Sequence, residues 1–446
     1  MQKKSALWLI LTLSTLLPLL ATCGTSTRVS NSTTTLAPTV PAGENIYVLD
    51  GYNSTGGASY EQQIVGFHPS NPNPTQFISL PNGLSSLDHQ RLYTATPANG
   101  KTTISVINTQ SGTRMRTFVI PGTYSTTGTG YDAAILSASG QWLALRALGQ
   151  SVNQTTIALV DTQSGTLTRT IPLNGDFTLD AISPGGKALY LLQRLNDTPG
   201  HYYVRVYDVS GNTLVQTPIV DKTTLNPSGD PNMTGAALAR QMSADGTFAY
   251  TLYIDTRRNM AFIHVLPLND QLDLPIAHCI DLPVGKSVDL LHYYTLALSA
   301  DGSTLYAANG AIGVVNSISM NNAGLQDIFD DKIQHTTHFN PGNASISNNA
   351  KTRTLFNGAA LSSDQKTLYF AGVQGIWAVN TSDLGPQGYY LVRQPVTGIA
   401  LSGDDRTLYA VDPTSGITLL SAANGQTQKV IQGPAHNPWG IAWITH

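Results

Sequence analysis

Residues 398–411 read Gly398-Ile399-Ala400-Leu401-Ser402-Gly403-Asp404-Asp405-Arg406-Thr407-Leu408-Tyr409-Ala410-Val411. An apolar segment runs into a polar turn and then into a second apolar segment. In the turn, Asp can bond its own backbone and Gly supplies positive φ, so the stretch predicts two short strands joined by a tight connection. The pattern Ser-x-Asp/Gly-x-x-x-Leu-Tyr returns at Ser86, Ser299 and Ser362, and in weaker form at Ser137, Ser183 and Ser243. Successive Ser positions are 51, 46, 60, 56, 63 and 40 residues apart, which makes the chain a repeat.

Downstream of each motif come alternating runs closed by a hairpin. Ile104-Ser105-Val106-Ile107 leads through Gln110-Ser111-Gly112-Thr113 into 116–120, and 157–171 repeats it around Gln163-Ser164-Gly165-Thr166. No apolar period of 3.6 residues is sustained, so the unit is a four-stranded antiparallel meander. A lone sheet of this kind cannot bury two apolar faces, whereas sheets set radially cover one another. The expected fold is an all-β propeller. Trp439-Gly440-Ile441-Ala442-Trp443 reads as a first strand with no second, and Asn45-Ile46-Tyr47-Val48-Leu49 as a second strand with no first. Joined, they complete an eighth blade, with seven blades as the alternative if one weak copy is irregular.

The Asp-Gly-x-x-Leu-Tyr segments and Ser105-Val106-Ile107-Asn108-Thr109-Gln110-Ser111-Gly112 resemble the YVTN-type β-propeller repeats of bacterial surface and periplasmic proteins. These are relatives of the lactonase-like and cytochrome d1-like propellers. The resemblance covers residues 45–446. The literal Tyr-Val-Thr-Asn tetrad, the Trp-Asp of WD40 repeats and the Gly-Gly of kelch are absent.

The N-terminus reads as an export signal over residues 1–22. Lys3 and Lys4 precede an interrupted apolar run over 6–20, which suits a secretory h-region better than a membrane span. Leu20-Ala21-Thr22-Cys23-Gly24 resembles the bacterial lipobox, which implies lipid attachment at Cys23. Ordinary secretion and an uncleaved anchor are the alternatives. Residues 23–44, rich in Ser, Thr and Pro, read as a tether. With Cys23 lipidated, Cys279 has no disulfide partner, and its apolar surroundings predict an inert thiol. The net charge is 24 − 27 = −3 and charged residues are 11%, which argues against a nucleic-acid partner.

In such a meander the connections alternate between the two faces of the disc. Those at the Ser-x-Asp and Gln-Ser-Gly-Thr turns read as short. Those at 124–131, 147–154, 194–201, 221–235, 284–294 and 321–357 read as long and fall on the other face, where function is expected to gather. His335-Thr336-Thr337-His338, helped by His292 or Asp331, has a metal-compatible spacing, against the plainer reading of solvated loop histidines. Arg194, His201, Asp230 and Arg257 are candidates for a polar ligand, Tyr293 for stacking or packing, and Asp132 and Asp180, placed before first strands, for the channel lining. Cys-x-x-Cys-His, Gly-x-Ser-x-Gly, Walker A and dinucleotide glycine motifs are absent, and no cofactor is expected.

The expected function is that of an exported, lipid-anchored monomer. It binds an envelope protein, a glycan or a small ligand through its long-loop face. The alternative is a lactonase-like hydrolase acting on a sugar lactone at the channel mouth, which needs His and acidic groups to converge.

Overall fold

A computed structural model gives the structure and describes residues 40–51, 63–70, 76–126, 133–221, 232–270, 276–321, 330–341, 355, 357–391, 396–412 and 416–445. Eight antiparallel meanders follow one another, so the chain is an eight-bladed propeller and the seven-blade alternative falls. Counted from the axis outward, blade 1 holds Leu84–Ser85, Arg91–Ala98, Lys101–Asn108 and Arg114–Pro121. Blade 2 holds Ala134–Leu136, Trp142–Arg146, Gln154–Asp161 and Thr166–Asn174, and blade 3 holds Phe177–Ile182, Ala188–Arg194, His201–Asp208 and Thr213–Leu214. Blade 4 runs from Ala236–Met242 through Phe248–Asp255 and Met260–Pro267 to Ile276–Asp281. Blades 5, 6 and 7 begin at Tyr294–Leu298, Ala359–Leu361 and Gly398–Leu401.

Blade 8 is stitched from both chain ends. Pro438–Thr445 is its first strand, and Asn45–Asp50, Gln63–Phe67 and Ile78–Pro81 follow outward. Glu44, wholly buried, ties this seam to blade 7: it accepts the Gly403 N–H at 2.8 Å and the Tyr409 hydroxyl at 2.6 Å.

The Leu-Tyr signature has a direct reading. Successive residues of a strand point to opposite faces, and a second strand is covered on both. Leu408 and Ala410 pack in the gap between blades 6 and 7, while Tyr409 and Val411 pack in the gap between blades 7 and 8. Among the described residues each inter-blade gap holds its own apolar cluster. The Tyr hydroxyls also cross the gaps: Tyr47 donates to Thr109 O at 3.0 Å, and Tyr369 to Ala422 O at 3.2 Å. Tyr47 and Tyr369 therefore both fill a gap and pin the next blade's third-to-fourth turn.

The Ser-x-Asp turns are hydrogen-bonded alike. In blade 5, Ser299 donates to Asp301 at 2.6 Å and accepts the Thr304 N–H at 2.9 Å. The hydroxyls of Ser299 and Ser303, with the Ser303 N–H, hold the Asp301 carboxyl down to about 2.

One predicted feature is corrected. Residues 321–357 are not one loop, because Lys332–His338 lies inside them as the fourth strand of blade 5. In blades 5, 8 and 4 the third and fourth strands are thus separated by more of the chain than a tight turn needs, from Ser319 to Lys332, Phe67 to Ile78 and Pro267 to Ile276, on the face expected to carry only short turns. The asymmetry between the faces is weaker than the sequence suggests.

Candidate functional site

Blades 3 and 4 hold Asp180, Arg194, His201 and Arg257 of the predicted polar residues. The connection from blade 2 to blade 3 contains Asp176, whose carboxylate lies between two guanidinium groups. Arg146, ending the second strand of blade 2, bonds it at 2.9 Å, and Arg194, ending the second strand of blade 3, stands 4.0 Å away. Arg194 also donates its backbone N–H to Asp176 O at 2.9 Å. From Arg194 the chain loops over 195–200 and returns at His201, whose Nδ1 bonds Asn232 Oδ1 at 2.8 Å. Thr234 and Met233 pair with His201 and Tyr202 as an added short strand.

Arg257 reaches the same loop from the turn joining the second and third strands of blade 4. Its Nη1 donates to Pro199 O at 3.4 Å. The guanidinium lies against Gly200, which has φ +85, and a Cβ there would stand 2.9 Å from Nη1. Gly200 thus serves both the left-handed turn and the approach of Arg257. The turn itself is held by Asp255, which accepts the N–H groups of Arg257 and Arg258 at 2.9 and 3.2 Å. Burial works against the Asp255 charge, but the Thr234 hydroxyl, these two N–H groups and the Arg258 guanidinium outweigh it and hold the carboxyl below its usual range. Arg258 Nη1 donates to Thr234 Oγ1 at 3.3 Å. Arg194 and His201 thus flank the 195–200 loop, and Arg257 reaches it from blade 4.

Asp180 lies within the first strand of blade 3, not before it. It is the extra residue of a bulge between Leu179 and Ala181. It is buried, and both its carboxylate and its carbonyl accept from Arg240 in the first strand of blade 4. Arg240 Nε also donates to Thr251 Oγ1 at 2.8 Å. Burial, then the Asp180 charge, push the Tyr202 and Tyr253 phenols far above their usual value. The group is a strut between two innermost strands, with the second Asp180 oxygen, Oδ2, buried and without a hydrogen-bond partner.

The remaining candidates do not converge. His335 and His338 are exposed on the outermost strand of blade 5, opposite Ser317 and Val314. Residues three apart on a strand face opposite sides, so their spacing does not make a chelate. His292 is half-buried in the 3-10 helix Val288–Tyr293, and burial, opposed by Asp289, lowers its pKa. Tyr293 is buried in the apolar cluster of blades 6 and 7, so it packs and offers no stacking platform. Asp331 accepts the Asn321 N–H at 2.5 Å, and its carbonyl bonds His278 on the outer strand of blade 4. Cys279 is half-buried on that outer strand, against the apolar cluster of blades 3 and 4. Among the described residues no three His, Cys, Asp or Glu side chains are grouped to hold a metal. Cys23, Asp132 and Asp230 lie outside the described residues.

Sequence reasoning missed Arg146, Asp176, Arg240, Asp255 and Arg258. The Arg240–Asp180 pair spans 60 residues and leaves no local trace. Asp255-Thr256-Arg257-Arg258-Asn259 did carry one: Asp opening a tight turn that Asn closes.

No protein-family model and no curated protein matches this chain. Several solved structures show similarity to it. The Pseudomonas aeruginosa periplasmic gluconolactonase PpgL is 14% identical, with TM-score 0.44, over 89% of this chain and 97% of that one. The dihydro-heme d1 dehydrogenase NirN in complex with DHE is 11% identical, with TM-score 0.43, over 82% of this chain and 66% of that one. The Myceliophteria thermophila Cps50 (Swd1) β-propeller domain is 11% identical, with TM-score 0.42, over 76% and 97%. The fold rests on this chain's own sheet topology, and nothing further is carried over from these structures.

Proposed function

We propose that this propeller is an exported, non-catalytic binding module, anchored by a lipid on Cys23, that holds an envelope ligand on the blade 3–4 sector of the face carrying 195–200. Residues 1–22 act as the signal, and the tether expected over 23–44 ends before the buried Glu44. The reading rests on one observation: Arg257, from blade 4, reaches the blade 3 loop whose two ends are Arg194 and His201. Lactone hydrolysis is disfavoured because Asp180 is paired with Arg240, and His335, His338 and His292 stand in other parts of the ring.

The test is a thermal-unfolding screen of the full chain against envelope glycans, sugar lactones and divalent metals. A ligand at a hundredfold excess over Kd should stabilise by about 2.7 kcal/mol. His201→Ala should abolish the shift, and Arg406→Gln, on the opposite face, should not. Turnover of a lactone would overturn the non-catalytic reading. Mass spectrometry of wild type and Cys23→Ala tests the anchor separately; the same unlipidated N-terminus in both would end it.

A further inference from the structure

Arg257 and Arg258 are adjacent cations on one short turn, and both are exposed. Like charges so placed repel, yet the molecule fixes them. Asp255 holds the backbone of the turn through both N–H groups, Thr234 bridges Asp255 to Arg258, and Gly200 makes room for the Arg257 guanidinium. Their anchor points, Pro199 O and Thr234 Oγ1, are close, because Thr234 pairs with His201 two residues after Pro199.

Each guanidinium has five N–H donors, and among the described residues each makes one hydrogen bond. Arg258 also has an ion pair with Asp255 at 3.9 Å. Most of the donors therefore face solvent from pre-set positions. Asp197 is the only carboxylate in 195–200, and it accepts from the Thr198 hydroxyl at 3.4 Å. Two fixed forks against one exposed carboxylate favour an oxyanion, which guanidinium groups grip in bidentate fashion.

We propose that the Arg257–Arg258 turn is an oxyanion seat, and that the ligand of this face carries a carboxylate or a phosphate flanked by hydroxyls. This rests on the binding function proposed above. His201 and Asn232, joined to each other beside Thr234, stand where neighbouring hydroxyls of such a ligand would be read.

The experiment is isothermal titration of the full chain, at low ionic strength, with inorganic phosphate, galacturonate and neutral galactose. Phosphate or galacturonate should bind, and whichever binds identifies the oxyanion. Affinity should fall at least tenfold in the Arg257→Gln/Arg258→Gln protein and fall again with added salt, while Arg406→Gln stays as wild type. Arg257→Lys/Arg258→Lys keeps the charge without the fork and should recover only part of the loss. Urea midpoints equal to wild type verify that the variants are folded. If neither anion binds, or binding survives the double substitution, the seat is wrong. Neutral envelope glycans that bind and depend on His201 would then leave the binding function standing, and their failure as well would remove both.

Discussion

Ser183 donates its hydroxyl to Asp270 at 2.6 Å across 87 residues. In the other turns the Ser bonds the residue two places on, an Asp in five of them: Asp88, Asp245, Asp301, Asp364 and Asp404. Blade 3 has Gly185 at that place, and the Asp270 carboxylate from blade 4 fills the space that a Cβ of Gly185 would enter. Asp270 also accepts the Lys187 N–H at 3.3 Å, the bond that Asp88 makes to Gln90 in blade 1. The missing turn residue is supplied by the neighbouring blade, which converts a local turn into a clasp between blades.

Asp270→Ala should therefore cost about 1–3 kcal/mol, the penalty of unpaired buried donors. Placing the carboxylate back locally, in Gly185→Asp/Asp270→Ala, should return part of it. Urea unfolding measures both. If Gly185→Asp rescues nothing, the carboxylate is not what the turn lacks.

This clasp marks the limit of what the sequence discloses. Blade number and ring closure were legible because each rests on local pattern: Ser-x-Asp turns, Leu-Tyr alternation and the two half-blades at Asn45 and Trp439. Lys332–His338 was read as loop because an outermost strand exposed on both faces shows no alternation. Arg194, His201 and Arg257 could be listed by type but not assembled, since the approach of Arg257 depends on how blade 4 lies against blade 3. Arg240 sits in Ala236–Met242, half-buried and without strong β propensity, and its role appears only beside Asp180.

The seam of the ring should be sensitive to Glu44. Removing its side chain leaves the Gly403 N–H and the buried Tyr409 hydroxyl without their acceptor. Glu44→Ala is expected to cost about 2–4 kcal/mol, the lower part of the range for two such losses, because Gly403 is exposed. Tyr409→Phe added to it should cost less than its effect alone, because the two share one bond. Thermal or urea unfolding of the four proteins closes the cycle, and strict additivity would show that the bond carries nothing.

The strut between blades 3 and 4 should behave as a buried pair. Arg240→Met leaves the Asp180 carboxylate buried and unneutralised, at a cost of about 3–5 kcal/mol. Asp180→Asn/Arg240→Met removes both charges and should recover most of it. Equal destabilisation of the single and double variants would mean that packing, not charge, is what Arg240 contributes.

Asp331 gives the stability a pH dependence of unusual sign for a carboxylate. It is 2% exposed, one oxygen accepts the Asn321 N–H at 2.5 Å, and the other has no hydrogen-bond partner. Burial, against that N–H and with the neighbouring Asp330 charge, raises its pKa to about 7 from 3.8. The folded chain then holds a proton that the unfolded chain has lost, so the proton bound at this site favours folding. That contribution is fully present below about pH 4 and is lost as pH rises through about 7, on the order of 1.4 kcal/mol per unit of the interval. Asp331→Asn keeps an acceptor for Asn321 and cannot ionise. It should leave the urea midpoint near wild type at about pH 4 and raise it at about pH 8. A constant difference between the two proteins across that range would show that Asp331 does not titrate there.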